Sequence, residues 1–413
     1  MEYNSLMSIF SFLNFKKTKN NYSLVFDIGA GSVAASLVKF TDKPGFRVIY
    51  SVRELIQYQE KISSEKYLTY MITALNSASE KIQKQLSSNP HTDRGGKMDV
   101  SRAFMIFSSP WCISQTKIIK VQKDKPFELT KKVLEKIILD EENLVKKDIE
   151  STNMFKDIKS LGDVIEKKIV QTKINGYKVD DPYGKVIKEL ELSLFVTVVP
   201  KEILKTVKET YGKYFAIKEV WSHSLTLASF TTIRDFYPNQ KNFVQIDINE
   251  EITEVSIIKD GVIISTSSIP IGRNYFVRIV ASENKVTSEI ADSMIKMHCD
   301  GSCEEGAAVK LEKAMSAATD KWIANLKEIF NSFIAEIYIP KAVFFVASND
   351  FICFISNKLK ESRLAQFGIS NESFEILSIN HKSIKDVCKM AIQKDEDVIL
   401  KIEELFLDKI YNI

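Results

Sequence analysis

Two stretches of the chain decide the fold: FDIGAGSVAASLV at Phe26 to Val38, and FVQIDINEEITEVSIIKDGV at Phe243 to Val262. In each, a short apolar strand ends in an aspartate, Asp27 or Asp247, and leads through a turn into a second strand. Runs of β-branched residues bounded by turn residues predict β-hairpins. Because the copies lie roughly 220 residues apart, they indicate one duplicated α/β unit and not a short-period solenoid.

The turn after Asp27 is built from Gly29, Ala30, Gly31 and Ser32. Glycine lets the backbone come close to a phosphate, whose oxygens accept hydrogen bonds from backbone N–H groups. A polyphosphate carried with a divalent metal also needs a carboxylate near the metal or its waters. An ordinary tight hairpin explains the short pattern as well, but its recurrence favours two phosphate clamps, with Asp27 and Asp247 near the metal.

Composition places the chain among ordinary folded proteins. Its 413 residues are 45% apolar and 27% charged, which excludes a disordered chain, a collagen-like fibre and a small disulfide scaffold. The net charge of +3 argues against nucleic-acid binding through bulk charge. Five cysteines in so long a chain predict a reducing compartment without a disulfide framework. No apolar run is long enough to predict a membrane span.

The two hairpin stretches resemble the phosphate motifs of the actin, hexokinase and heat-shock chaperone superfamily. The ending IPIG at Ile269 to Gly272 is typical of its bacterial members. Between them, NGYKVDDPYGK (Asn175 to Lys185) and ELELSLFVTVV (Glu189 to Val199) resemble the segment that closes the small inserted domain of FtsA. The type IV pilus protein PilM shares this layout. Over roughly residues 20 to 365 the chain therefore resembles an actin-like ATPase of the bacterial FtsA/PilM type.

The resemblance implies an α/β fold: a duplicated, actin-like (ribonuclease H-like) two-lobe structure with a small inserted α+β domain. The expected division is a leader at 1–20, a first lobe at 21–97 and 184–240, an inserted domain at 98–183, a second lobe at 241–365 and a C-terminal segment with an amphipathic helix at 366–413. The implied cofactors are ATP and Mg²⁺. The implied binding residues are Asp27, Gly29, Ala30, Gly31, Ser32, Asp247, Asn249, Thr253, Gly272, Lys296, Ala347 and Ser348.

Several of these positions depart from the family pattern. The second motif has no glycine and instead carries Glu250 and Glu251, whose charges would repel a phosphate by about 1 to 4 kcal/mol. Ala347-Ser348 and Arg273 stand where glycines are usual, and Asp292 is one position out of the usual spacing. We therefore expect weakened or lost ATP binding, at most a slow ATPase. We also expect Arg273 to pair with Glu250 or Glu251.

Three functions follow from the resemblance. The first is an FtsA-like scaffold of cell division that self-associates into filaments and binds the tail of the tubulin homologue FtsZ. The second is a PilM-like platform that binds a peptide of a pilus inner-membrane protein. The third, an active sugar or acetate kinase, is disfavoured because no substrate-pocket motif is visible. The first two imply a cytoplasmic protein, peripheral on the inner membrane, and neither involves nucleic acid.

The chain ends and one cysteine motif leave further alternatives. The apolar stretch Leu6 to Phe15 precedes its lysines, unlike a signal peptide, and predicts either a packed helix or a segment that touches anionic lipid. The tail Val398 to Ile413 has one apolar helical face and a negative net charge, which favours docking on the body over lipid. His298-Cys299 and Cys303 lack a second cluster to complete a zinc site, so a metal there is disfavoured.

Overall fold

The computed structural model describes residues 22–40, 45–88, 98, 100–152, 162–334, 338–346, 349–361, 363–368, 373–379, 384 and 397–411. The chain divides into two compact units. The first unit contains the described residues up to Ser229, together with Val262–Ser265 and those from Leu400 onward. The second unit contains Phe230–Gly261 and the described residues from Thr266 to Ile399. The leader expected at 1–20 lies outside the described residues.

The described strands are β1 (Tyr22–Ile28), β2 (Ser32–Phe40), β3 (Phe46–Leu55), β4 (Val100–Phe107), β5 (Ile113–Glu128), β6 (Gly162–Ile174), β7 (Tyr177–Lys178), β8 (Val186–Pro200), β9 (Glu219–Ser224), β10 (Phe243–Ile248), β11 (Thr253–Lys259), β12 (Val262–Ile269), β13 (Ala342–Val346) and β14 (Glu375–Ser378). The described α-helices are α1 (Ser64–Ser88), α2 (Lys131–Thr152), α3 (Lys201–Gly212), α4 (Leu225–Phe236), α5 (Arg273–Asn284), α6 (Ser288–Cys299), α7 (Glu305–Ile334), α8 (Asn349–Glu361) and α9 (Val398–Tyr411). A short 3-10 helix spans Arg363–Phe367.

The sheet of the first unit has the strand order β3-β2-β1-β4-β9. Strands β1, β2 and β3 are antiparallel, whereas β4 and β9 run parallel to β1. Every residue of β1 is buried, as its continuous apolar run predicts for a central strand. Helix α1 packs Tyr67, Met71 and Leu75 into the core cluster that includes Phe26 and Phe107. The predicted first hairpin is therefore confirmed, and its strands belong to the buried main sheet of the first unit.

The second unit repeats this plan. Its sheet has the order β12-β11-β10-β13-β14, with β10 antiparallel to β11 and parallel to β13. Met315, Trp322 and Phe330 of α7 form an apolar stripe at helical spacing, and all three are buried in the core. Because the order of the five strands is the same in both sheets, the duplication inferred from the sequence is confirmed.

A third, four-stranded sheet has the order β5-β8-β6-β7 and is covered on one face by α2. It belongs to the first unit and spans 113–200. These bounds differ from the 98–183 expected for the inserted domain. The reason is strand pairing: β4 pairs with β1 in the main sheet, and β8 runs to Pro200 beside β5 and β6. A boundary set by pairing between distant strands is not visible in local sequence.

The C-terminal helix α9 packs into the first unit. Ile402, Phe406 and Ile410 of its apolar face are buried, which confirms the docking favoured by the sequence. Three of its charged residues, Lys401, Glu403 and Glu404, are buried as well. Ser36 Oγ donates to Glu404 Oε1 at 2.9 Å, and Lys401 Nζ lies 4.5 Å from the centre of the Phe46 ring. None of the described helices has the length and hydropathy that crossing a bilayer needs.

One expectation about cysteine is corrected. Cys299, at the end of α6, is disulfide-bonded, although the cysteine count predicted a chain without disulfides. Its sulfur is therefore unavailable as a metal ligand. Among the described residues no group of three or more His, Cys, Asp or Glu side chains could hold a metal ion. The disfavoured zinc alternative at His298, Cys299 and Cys303 gains no support.

Candidate functional site

The first turn is held by an ion pair that crosses the sheet. Asp27 on β1 lies opposite Ala34 on β2, and Ala34 lies opposite Arg53 on β3. Partners in antiparallel strands share a face, and the small Ala34 side chain leaves room above it for the long Arg53 side chain. Arg53 Nη2 donates to Asp27 Oδ2 at 2.8 Å and Arg53 Nη1 donates to Ser32 Oγ at 2.6 Å. The arginine thus joins the buried carboxylate to the end of the turn.

The carbonyl groups of this turn all point back into the protein. Gly29 O accepts the indole N–H of Trp111 at 2.6 Å, Ala30 O accepts the hydroxyl of Tyr67, and Gly31 O accepts the N–H of Ile56 at 2.8 Å. The Tyr67 and Trp111 rings stack on each other, with centroids 4.9 Å apart. The peptide groups are therefore fixed with their oxygens inward.

The donors of the same turn remain available for a ligand. Within the described part of the chain, no acceptor binds the backbone N–H of Ala30 or of Gly31. Gly29 has no room for a side chain, because a Cβ there would lie 2.9 Å from Ser32 O. A tight turn with its oxygens held inward and two N–H groups unbound is the arrangement that binds a phosphate. The sequence-predicted residues Asp27, Gly29, Ala30, Gly31 and Ser32 do come together here.

A magnesium site does not fit the first turn as it stands. The Asp27 side chain is buried and already meets the Arg53 guanidinium. A cation in the position of Mg²⁺ would have to displace that guanidinium or stand beside a like charge. In the second unit Asp247 lies opposite Glu254 of β11, and both are buried. No third ligand for a metal accompanies them among the residues described.

The second turn uses its own backbone donors. Asn249 Oδ1 accepts the N–H of Glu251 at 3.2 Å and the N–H of Ile252 at 2.9 Å, and Asn249 N donates to Ile252 O. An asparagine that bonds to the backbone two residues on is a common local substitute for a turn bond. The amides that a glycine-rich turn would offer to phosphate are therefore already occupied. This geometry argues against Asn249 as a nucleotide ligand.

Gly272 brings helix α5 against the second turn. A Cβ on Gly272 would lie 2.4 Å from Asn249 O and 2.5 Å from Glu251 N, so only glycine fits. Arg273 N donates to Asn249 O at 2.9 Å and Asn274 N donates to Glu250 O at 2.8 Å. The turn thus caps the first N–H groups of α5, which then cannot serve a ligand. Gly272 has a packing role that its position in the motif did not reveal.

The charges around the second turn pair differently from the prediction. Glu251 accepts hydrogen bonds from Arg278 Nη2 at 2.8 Å and from Asn274 Nδ2 at 2.8 Å. Arg273 forms its ion pair with Asp292, which also meets Lys296 Nζ at 3.0 Å. Glu251 therefore pairs with Arg278 and not with Arg273, and the alternative expectation, that Arg273 pairs with Glu250, stays a prediction. Arg278 lies five residues further along α5 than Arg273, on the side that faces Glu251.

The remaining predicted residues do not form a ligand site within the described part of the chain. The Thr253 hydroxyl is fully buried, donates to Ile271 O at 2.7 Å and accepts from Trp322 Nε1 at 3.0 Å. Its bonding capacity serves the core of the second unit, which argues against a ligand role. Lys296 is half-exposed and is engaged by Asp292. Ala347 and Ser348 lie outside the described residues, so their expected place in an adenosine motif stays a prediction.

Sequence reasoning missed the residues that support the first turn, Arg53, Tyr67 and Trp111. Arg53 is one of two arginines in the strand FRVIYSVREL, the other being Arg47, and nothing in the sequence distinguishes it. Its partner could not be found without the register of β1, β2 and β3. Tyr67 was recognised only as part of the apolar face of a helix, and Trp111 follows a strand in a segment with no motif.

Comparisons with known proteins bear on the fold. No family model and no curated protein matches the chain. A solved structure of a PilM–PilN type IV pilus biogenesis complex is similar at 11% identity and a TM-score of 0.57, over 94% of this chain and 96% of that one. The ethanolamine utilization protein EutJ from Carboxydothermus hydrogenoformans is similar at 9% identity and a TM-score of 0.43, over 98% and 94%. A Bacteroides thetaiotaomicron protein with an actin-like ATPase fold is similar at 8% identity and a TM-score of 0.40, over 92% and 99%. The chain has the actin-like fold.

Proposed function

We propose that this protein is an actin-fold assembly platform that binds a peptide of a membrane partner and does not turn over ATP at an enzymatic rate. The observation that carries the proposal is the second turn, where Asn249 occupies the N–H groups of Glu251 and Ile252. An actin-type ATPase holds its nucleotide with backbone donors from both hairpin turns. Here the first turn offers donors and the second has consumed its own.

The choice of partner rests on the solved structure with the TM-score above 0.5, which is a PilM–PilN complex of type IV pilus biogenesis. We therefore place the PilM-like platform first and the division scaffold second. The second candidate is supported by the segment resemblance at Asn175 to Lys185 and at Glu189 to Val199. A division scaffold needs a segment that contacts the membrane, and helix α9 does not offer one because its apolar face is buried in the first unit. The segment 1–20 remains its candidate for such a contact.

The first test is ATP turnover by the purified full chain. We expect steady-state turnover far below the roughly 1 to 100 per second of kinases. The informative variant is Asn249→Gly, which frees the two amides of the second turn and should raise ATP affinity. The matched control is Asn242→Gly. Asn242 Oδ1 accepts the N–H of Asp260 at 2.8 Å in the same unit, so the control loses a similar bond away from the turn.

The second test is capture of a partner peptide. The full chain is titrated with an N-terminal peptide of a pilus inner-membrane protein and with a C-terminal tail peptide of FtsZ. Saturable binding of the first and a constant small sedimentation coefficient support the platform. Binding of the second with filaments in the pellet would support the division scaffold instead. Rapid phosphoryl transfer by the wild type would contradict both.

A further inference from the structure

We propose that the first turn binds a phosphate group without a divalent cation, because the Arg53 guanidinium supplies the positive charge that a metal would supply. The inference rests on the phosphate role of this turn in the proposed function and names how that role is carried out. The ligand class is a phosphoryl oxyanion, either the terminal phosphate of a nucleotide or free phosphate.

The ion pair decides the charge of the site. The Asp27 side chain is 3% exposed, whereas the Arg53 side chain is 29% exposed. The carboxylate is thus screened from solvent by the arginine, and a ligand approaching the turn meets the cation first. A bare Asp27 would repel a phosphate, which is the reason such sites ordinarily need a metal. With Arg53 in place, the repulsion is already offset.

The chemistry of arginine allows it to take the place of a metal ion at this turn. A guanidinium is planar, stays charged at all physiological pH values and carries five N–H donors in a fork that matches phosphate oxygens. Two of its nitrogens donate to Asp27 Oδ2 and Ser32 Oγ, at 2.8 Å and 2.6 Å. These two contacts fix the plane of the group beside the turn. Ala34 makes the arrangement possible because a larger side chain would separate Arg53 from Asp27.

The turn adds hydrogen-bond donors close to Arg53 in the chain fold, since Arg53 contacts Ser32 at its end. The N–H groups of Ala30 and Gly31 bind no acceptor in the described part of the chain. The Ser32 oxygen accepts a bond from Arg53, so its own hydroxyl hydrogen is left to donate, and no described residue accepts it. Two amides, one hydroxyl and one cation therefore converge near one short turn. That donor set is complete for an anion and contains no group that a metal would need.

The experiment measures binding of inorganic phosphate, pyrophosphate and ADP to the full chain by calorimetry, once with EDTA and once with Mg²⁺. We expect the wild-type affinity to agree within about twofold between the two conditions. Arg53→Gln should weaken binding at least about tenfold in EDTA, because a charge-assisted contact is lost. In this variant Mg²⁺ should restore part of the affinity, since the Asp27 carboxylate then no longer meets the Arg53 guanidinium. Tight binding of ADP but not of inorganic phosphate would show that the bound phosphate group belongs to a nucleotide.

Two further variants keep the result interpretable. Arg47→Gln removes an arginine from the same strand away from the turn, so its affinity and melting temperature should match the wild type. Ser32→Ala keeps the Arg53–Asp27 pair but removes the hydroxyl, so phosphate binding should weaken and stay independent of Mg²⁺. This variant tests the inference if Arg53→Gln does not fold. Wild-type binding that disappears in EDTA overturns the inference, as does the absence of any phosphate binding. Either result leaves the peptide-capture test of the proposed function unaffected.

Discussion

Among single residues, Glu166 on β6 is a buried carboxylate of the first unit that contacts two side chains of β9. Its Oε1 lies 2.9 Å from His223 Nδ1, and its Oε2 accepts the Ser224 hydroxyl at 2.7 Å. Burial alone would raise the pKa of Glu166, but the bond to His223, the nearby Lys168 charge and the Ser224 bond outweigh it. The pKa of Glu166 therefore lies below its ordinary value of 4.5. This cluster ties the four-stranded sheet to β9 of the main sheet.

Replacing Glu166 tests this tie through its pH dependence. Because the folded-state pKa is lower than the unfolded one, the unfolded chain binds more protons between the two values, and the stabilisation is lost as pH falls through that range. We expect Glu166→Gln to cost about 1.5 to 3 kcal/mol at pH 7. Below the ordinary glutamate range the wild type should lose most of this advantage. Urea unfolding of both proteins across the pH range gives the measurement.

A matched control is Glu191→Gln on the neighbouring strand. Glu191 meets Lys173 Nζ at 2.5 Å, but both side chains are about a third exposed. Such pairs contribute about 0 to 1 kcal/mol. A loss for Glu166→Gln no larger than for Glu191→Gln would contradict the assigned role. A stability loss of Glu166→Gln that is the same at every pH would show that the glutamine side chain packs poorly, and would not indicate a lost charge interaction.

The residue scale also shows what sequence could foresee at the candidate site. The motif located Asp27, Gly29 and Ser32 because their spacing is local and their chemistry is distinct. It could not foresee Arg53, since that contact spans two strand pairings, nor the self-bonding of Asn249. Asparagine at that position is compatible with either a ligand role or an internal turn bond. Only the geometry of the backbone decides between them.

At the scale of elements, helix α9 carries a prediction of its own. Ile402 is fully buried within the first unit, and removing its branched side chain leaves a cavity. We expect Ile402→Ala to lower the free energy of unfolding by about 2 to 5 kcal/mol. Lys409→Ala, on the part-exposed side of the helix, should change it by less than about 0.5 kcal/mol. Chemical denaturation measures both.

Liposome sedimentation completes the test of α9. A docked helix predicts that Ile402→Ala changes stability and leaves lipid binding as it was. Unchanged stability with weaker lipid binding would mean that the helix leaves the body to reach a membrane. The charged side chains give an independent reason for docking, because Lys401 and Glu404 are buried against Phe46 and Ser36.

Elements with local signals were predicted closely, and those set by distant pairing were not. The ends of the strands Phe46–Leu55 and Ala342–Val346 are visible in the sequence, because turn residues and apolar runs mark them. The β-rich run Thr116 to Gln122 marks only part of the longer strand Ile113–Glu128, in which β8 pairs with Ile113 to Gln122 and again with Phe127 and Glu128. Charged residues such as Lys123 and Lys125 hid that extension, because an edge strand tolerates them.

At the scale of the whole molecule, the duplication has produced two sheets with the same strand order, but their turns differ in how their backbone N–H groups are used. The first turn presents unbound amides, and the second binds its amides to Asn249. The repeated hairpin unit and the chain length between its two copies were readable from sequence. The difference between the turns was not, because it depends on which atoms of a short segment face one another.

This asymmetry makes a prediction for hydrogen exchange in the intact protein. An amide exchanges slowly when it is hydrogen-bonded and faster when it is open to water. Adding ADP should slow exchange at Ala30 and Gly31, because the phosphate accepts their N–H groups. Exchange at Glu251 and Ile252 should stay unchanged, since Asn249 already holds them. Asn249→Gly should speed exchange at these two amides without ligand and make them respond to ADP. An equal slowing of exchange by ADP at both turns of the wild type would contradict this account, because the second turn would then be binding nucleotide with donors that the structure assigns to Asn249.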